Sequence, residues 1–290
     1  MSFAAIALAG GGNRCYWQSG VLDALWSANP DRPRLMVGVS AGAFQAAFTL
    51  AGVGDKVRRI VDDECRTRCR NLEWIRLAQG RSPFPVGAIY PELMRAVFGP
   101  PELARLRDAP ELLIKVSRPP PWLPGSLATI AGLAGYQLEK SLTNRVHPRV
   151  GRRLGFVADY VSSHAVADVD ALVAALAASA AVPPFIPAGR VGGRKALDGG
   201  LVDNVPVSRL AAVEAAGEQT LVLVTRRYKT LPQVPNRTYL QPSAAIAVNK
   251  FDITDADGIV AAYRLGSADG MAFAASLASR SGRSAIDPTT

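Results

Sequence analysis

Ser40 lies in Gly38-Val39-Ser40-Ala41-Gly42, between the apolar run Leu35-Met36-Val37 and an alanine-rich stretch of helical character. A serine pinned between two glycines at a strand-to-helix turn can hold a strained backbone with its hydroxyl exposed. The helix behind it directs unpaired amides and a positive dipole end to the same place. Such a serine is poised to attack an acyl carbon. Taken alone, the pentapeptide equally describes a tight turn before a helix.

Two further sites bear on that choice. Gly10-Gly11-Gly12-Asn13-Arg14 follows the first apolar run directly. Consecutive glycines let the backbone turn its amides toward one point, and a helix start adds to the attraction for an anion. In acyl transfer that anion is the oxygen of a tetrahedral intermediate, and Arg14 adds positive charge nearby. A dinucleotide loop fits poorly: the glycine register differs, and no acid follows the second strand to hold a ribose. A P-loop is disfavoured because no Gly-Lys-Ser/Thr follows. The third site is Asp198-Gly199-Gly200, with Leu201-Val202-Asp203-Asn204-Val205-Pro206 after it. An aspartate there can accept the Ser40 proton as attack occurs, if a partly dry setting raises its pKa. The same three residues also suit a hairpin turn.

Simple elements would position these groups. Phe3 to Ala9 reads as a buried strand, 13–28 as a helix stopped by Asn29-Pro30, and Leu35 to Val39 as a second strand. Ala41 to Ala51 reads as a second helix closed by Gly52 and Gly54. This alternation predicts an α/β fold with a parallel sheet and crossover helices. Residues 55–110 read as mostly helical and proline-punctuated. Strands are expected at Glu111 to Val116, Leu154 to Val161 and Leu221 to Thr225. Asp168 or Asp170 caps a helix over Ala171 to Ala181, and Gly192-Gly193 forms a hairpin that delivers Asp198. Leu127 to Leu138 is either an ordinary packed helix or a surface helix that meets lipid. An alanine-rich helix is expected near the end, with a loose tail from about Ser281.

The 290 residues are 49% hydrophobic and 20% charged, a globular balance able to bury a core. Lysine and arginine number 33 against 24 acids, a net charge of +9. That favours anionic surfaces such as phospholipid headgroups, or simply solubility. No basic helix interleaves aromatics, so nucleic acid is not an expected partner. Three cysteines, Cys15, Cys65 and Cys69, are too few for a disulfide framework and read as free thiols of a reducing compartment. The first residues lack a basic leader, and no apolar run of about 18 residues occurs. A cytoplasmic protein is expected, touching membrane at most peripherally; export without a cleaved leader stays open. Oligomeric state is not legible.

The order of the three sites resembles the patatin-like phospholipases. Ala178-Ser179 with Pro183 is similar to the family's A-S-x-x-x-P segment, and Asp198-Gly199-Gly200 with Asn204 and Pro206 to its D-G-G-x-x-x-N-x-P run. Pro242-Ser243 and Phe251-Asp252-Ile253-Thr254 resemble a weaker C-terminal pattern of bacterial members. The resemblance spans about 3–52 and 154–265; no motif covers 55–150, where substrate choice is expected to reside. Two departures are Cys15 after Arg14, which stands to narrow the pocket, and Phe185, one position early and expected to lie clear of the chemistry.

The resemblance implies a single domain over 1–290 with a three-layer α/β/α fold, a mostly parallel central sheet and a variable, largely helical segment at about 55–150. It implies hydrolysis of fatty-acyl esters of phospholipids or lysophospholipids by a Ser40–Asp198 dyad, without metal or cofactor. The amides of Gly10, Gly11, Gly12 and Ala41 would hold the oxyanion, supported by Arg14. A triad through His164 is an alternative; His147 has no recognisable triad context. Other readings are a soluble esterase, thioesterase or acyltransferase with the same dyad, a non-catalytic anion- or membrane-binding module, and a nucleotide-binding protein.

Overall fold

The computed structural model describes residues 2–120, 146 and 153–284. The expectations for Leu127 to Leu138 and for His147 lie outside the described residues. Strands β1 (Ala5–Leu8), β2 (Leu35–Val39) and β3 (Glu111–Arg118) form the centre of one sheet with β7 (Thr220–Leu223) and β8 (Arg237–Leu240). These five run parallel, in the order β3-β2-β1-β7-β8. Antiparallel strands complete the sheet: β4 (Val157–Ser162) and β6 (Arg194–Asp198) pair with β3, and β5 (Gly189–Val191) pairs with β6. The sheet is therefore mixed but mostly parallel, with helices on its faces.

Alternation along the central strands sorts their side chains into two layers. Ile6, Leu8, Met36, Leu112, Ile114, Leu221 and Leu223 face one helical layer. It contains α1 (Tyr16–Ala28), α2 (Ala41–Leu50), α3 (Gly54–Thr67), α5 (Val86–Val97), α6 (Pro100–Asp108), α7 (Val169–Ser179) and the long α9 (Ala256–Ser284). Ala5, Ala7, Val37 and Val222 face the other way, toward Val205, Leu210 and Val213 around the short α8 (Ala211–Ala215). Of the two aspartates expected to cap α7, Asp168 does so, accepting the Ala171 amide at 2.8 Å. A four-residue helix, α4 (Ile75–Ala78), sits in the connection between α3 and α5. Among the described residues no helix is long and apolar enough to cross a membrane.

Most expected elements are found with ends moved by one to three residues, and one strand was not expected. The strand expected from Leu154 begins at Val157, after a turn at Gly155 with φ of 83°. The helix expected before a tail at Ser281 continues to Ser284. Strand β8 has no counterpart in the sequence reading, because Arg237-Thr238-Tyr239-Leu240 is half-buried throughout and carries little hydrophobic signal.

The sheet topology brings the two key sites together. Strand β4 occupies one edge of β3 over Leu113 to Arg118. The other edge carries β2 as far as the Val39–Lys115 pair, and β6 then takes it over at Val116–Asp198. Where β2 ends and turns into Ser40, β6 arrives from the opposite direction and ends in Asp198. Two segments far apart in sequence thus terminate beside successive residues of one strand.

Candidate active site

Ser40 occupies the turn between β2 and α2 with φ 55° and ψ −136°, a left-handed conformation that is strained for a residue with a side chain. Its neighbours make the turn possible. A Cβ on Gly38 would lie 2.4 Å from the Ala43 Cα, and one on Gly42 would lie 2.6 Å from the Ala9 carbonyl. Only glycine lets α2 come this close to the ends of β2 and β1. The Ser40 amide donates to the Ser179 hydroxyl at 2.8 Å, and that hydroxyl donates to the Lys115 carbonyl at 2.6 Å. Fully buried Ser179 therefore ties the strained turn to the last paired residue of β3 beside it.

Asp198 is buried beside Ser40, whose hydroxyl works to lower the carboxyl pKa. The carboxylate accepts the Gly200 amide at 2.7 Å. Burial pushes its pKa up to about 6, against the opposing pull of the Ser40 hydroxyl, the Gly200 hydrogen bond and the Lys250 and Lys115 charges. The result is a carboxylate ionised near neutral pH yet more basic than one in water.

Both side chains line a cavity of about 120 Å³, with Gly11, Gly12, Asn204, Lys250, Phe185 and Phe251 among its other walls. Among the described residues, no partner occurs for the Gly11 and Gly12 amides, and Ala41 opens α2, where the first amides have no intrahelical acceptor. Three amides close to Ser40 in the chain or on the cavity wall thus lack an acceptor among the described residues.

Gly10 and Arg14 depart from expectation. The Gly10 amide donates to the Asn204 carbonyl at 3.1 Å and is not free for an oxyanion. Its carbonyl accepts from Asn204 Nδ2 at 2.8 Å and Thr225 Oγ1 at 2.9 Å, so Gly10 fastens the loop. The Arg14 Nε donates to the Val248 carbonyl at 3.1 Å, and Arg14 is not a wall of the cavity. Next to it, the Asn13 side chain bonds the Asn249 and Asp252 carbonyls and the Asn13 amide bonds that of Lys250 at 3.0 Å. Asn13 and Arg14 thus hold segment 248–252 in place, and that segment supplies Lys250, the cation on the cavity wall. Lys250 was missed because nothing local marks it; Ser179 and Asn204 stood in recognised segments but without a role.

Cys15 does not narrow the cavity: it is wholly buried, with its thiol against the Ala9 carbonyl at 3.5 Å. Phe185, expected to lie clear of the chemistry, lines the cavity and stacks on Phe251 with ring centres 5.2 Å apart. His164 is exposed and bonds the Ala109 carbonyl at 3.0 Å, just before β3 begins. Ser40 and Asp198 lie at the other end of that strand's pairing with β2, so His164 is not positioned to join them.

A second cavity of about 190 Å³ lies alongside, between α3, α5 and the start of α9. Its walls include Ile60, Val61, Ile89, Leu93 and Ile253, and it reaches Asn13 and Asp252, the neighbours of Gly12 and Phe251. Consecutive residues of the glycine loop and of segment 251–252 thus line the two cavities.

The arrangement holds a strained serine, a buried carboxylate and a set of amide donors around one small space beside an apolar one. The family model described as Patatin-like phospholipase matches residues 6–211, well over half of the chain. No curated protein matches.

Proposed function

The chain belongs to the patatin-like phospholipase family, whose members are lipid acyl hydrolases, and from that premise we propose that it cleaves fatty-acyl esters of phospholipids or lysophospholipids through a Ser40–Asp198 dyad. The observation that carries the reading is the meeting of Ser40, strained at the β2–α2 turn, and the buried Asp198 carboxylate on the wall of one cavity, with the carboxyl pKa raised to about 6. As Ser40 Oγ attacks the ester carbonyl, its proton passes to Asp198, and no free alkoxide forms. The amides of Gly11, Gly12 and Ala41 hold the oxyanion. When the tetrahedral intermediate collapses, the ester C–O bond breaks and the leaving alcohol takes the proton from Asp198. Water then attacks the acyl-enzyme, gives its proton to Asp198, and releases the fatty acid as Ser40 recovers its hydrogen. We take the whole of 1–290 as one such domain. In it α3 and α5, within the segment at about 55–150, set substrate choice, since they supply most of the apolar wall beside the site and give an acyl chain room.

A panel of p-nitrophenyl esters tests the dyad. Ser40→Ala and Asp198→Asn each lower kcat by about a thousandfold or more, while His164→Ala leaves it within about twofold. Retained activity in the aspartate variant defeats the assignment.

A further inference from the structure

The connection between α3 and α5 ends in an exposed apolar tip. Trp74, Ile75 and Leu77 are 67%, 69% and 52% exposed, and among the described residues the other large exposed hydrophobics, Val157 and Met271, lie elsewhere and singly. Three such side chains on one short turn lose free energy by staying in water.

Charge surrounds the tip. Between residues 66 and 81 stand five arginines (66, 68, 70, 76 and 81) and one acid, Glu73. Arg66, Arg68 and Arg76 pair with carboxylates. Arg70 and Arg81 are exposed and form no ion pair with a described residue. An apolar turn flanked by two exposed guanidinium groups, free of ion pairs among the described residues, matches the boundary of an anionic bilayer, where tryptophan sits among headgroups and arginine meets phosphate.

The base of this loop is fixed to both aromatic walls of the site. The Glu73 amide donates to the Pro83 carbonyl at 2.8 Å and closes the loop. The Ser82 hydroxyl donates to the Pro184 carbonyl at 2.9 Å, and the Phe84 ring lies 4.4 Å from that of Phe185. On the other side, Asn71 donates to the Asp252 carboxylate at 2.9 Å and accepts the Ile253 amide at 2.7 Å. A surface that receives the tip therefore comes to rest beside Phe185 and Phe251.

We propose that residues 70–81 form a docking element that inserts Trp74, Ile75 and Leu77 into an anionic phospholipid bilayer and so seats the cavity mouth against its substrate. The purpose rests on the acyl-hydrolase reading; the binding itself does not need turnover.

The test uses the full chain carrying Ser40→Ala, so that lipid is not consumed, in sedimentation with vesicles of phosphatidylcholine with or without phosphatidylglycerol. Binding to the anionic vesicles is expected, and much weaker binding to phosphatidylcholine alone. Arg70→Gln with Arg81→Gln lowers partitioning roughly thirtyfold. Trp74→Ser with Ile75→Ser and Leu77→Ser lowers it at least tenfold. In the otherwise unaltered enzyme, both sets of changes leave turnover of a soluble short-chain ester unchanged, which shows that the fold is intact. Brominated lipid quenches the part of the tryptophan emission that Trp74→Phe removes. The proposal is overturned if the parent does not bind anionic vesicles, or if the tip variants bind as the parent does and a protein partner has to be sought instead. Failure of the parent to hydrolyse any ester defeats the catalytic reading and leaves the vesicle result standing.

Discussion

A carboxyl in water is ionised down to about pH 4, whereas that of Asp198 is held up to about 6 by burial. Only the ionised form can take the Ser40 proton. Below about 6 the group is increasingly neutral, so kcat/KM for a soluble ester falls about tenfold per unit as the pH drops. Above it the profile levels off. A stopped assay across pH 4.5 to 8 checks this, and a flat profile contradicts the role of Asp198. The same shift has an opposite consequence for folding. A raised pKa means that the folded state binds the proton more tightly, so this group's contribution to stability is present at low pH and declines as pH rises from about 4 to 6. Ser40 and Asp198 were legible because each carries its own local punctuation, glycines placed where a turn or a close approach needs them. The commitment of the Gly10 amide was not legible, because its acceptor at Asn204 and its second brace at Thr225 come from far along the chain. Arg14 misled for a similar reason: a charge beside a glycine loop looks like an anion ligand until its partner, the Val248 carbonyl, is known.

Helices α3 and α5 act at the scale of the element. Their facing residues, Val61 from one and Leu93 from the other among them, enclose the apolar space of about 190 Å³ beside the site. Leu93→Trp fills part of that space. The expected outcome is a shift in preference toward shorter acyl chains, with about a tenfold loss of kcat/KM on the longest esters and little change on the shortest. A length series of p-nitrophenyl esters measures it, and an unshifted profile removes the cavity from the acyl path. The sequence foretold β1, β2 and α2 closely, since each is a dense apolar or alanine-rich run with glycine at or near its end. It also foretold the hairpin that carries Asp198. It did not foretell β8, which follows Asn236 at φ 60° and shows only half-buried residues. Nor could it say that the hairpin strand β6 runs antiparallel against β3, because pairing direction is a property of the assembled sheet.

The whole molecule is closed by its last helix. Helix α9 lies along α1, and Trp17 Nε1 donates to the Asp269 carboxylate at 2.7 Å across the contact. A Cβ on Gly266 would sit 2.0 Å from the Trp17 carbonyl, so the two backbones meet with no room between them. Gly266→Val is expected to force them apart and to cost about 3 kcal/mol of stability, read as a lower midpoint in urea; an unchanged midpoint would show the contact to be dispensable. Segment 248–252, which brings Lys250 and Phe251 to the site, enters α9 directly, so loosening the helix also loosens that wall. The proposed dyad is anchored differently. One member follows the end of β2 and the other ends β6, and these two strands pair with successive residues of β3, in a parallel and an antiparallel ladder. Their separation is thus graduated by the pleat and inherits its stiffness. Surface loops can lengthen, shorten or fluctuate, and the spacing of the proposed nucleophile and base holds for as long as both pairings with β3 keep their register.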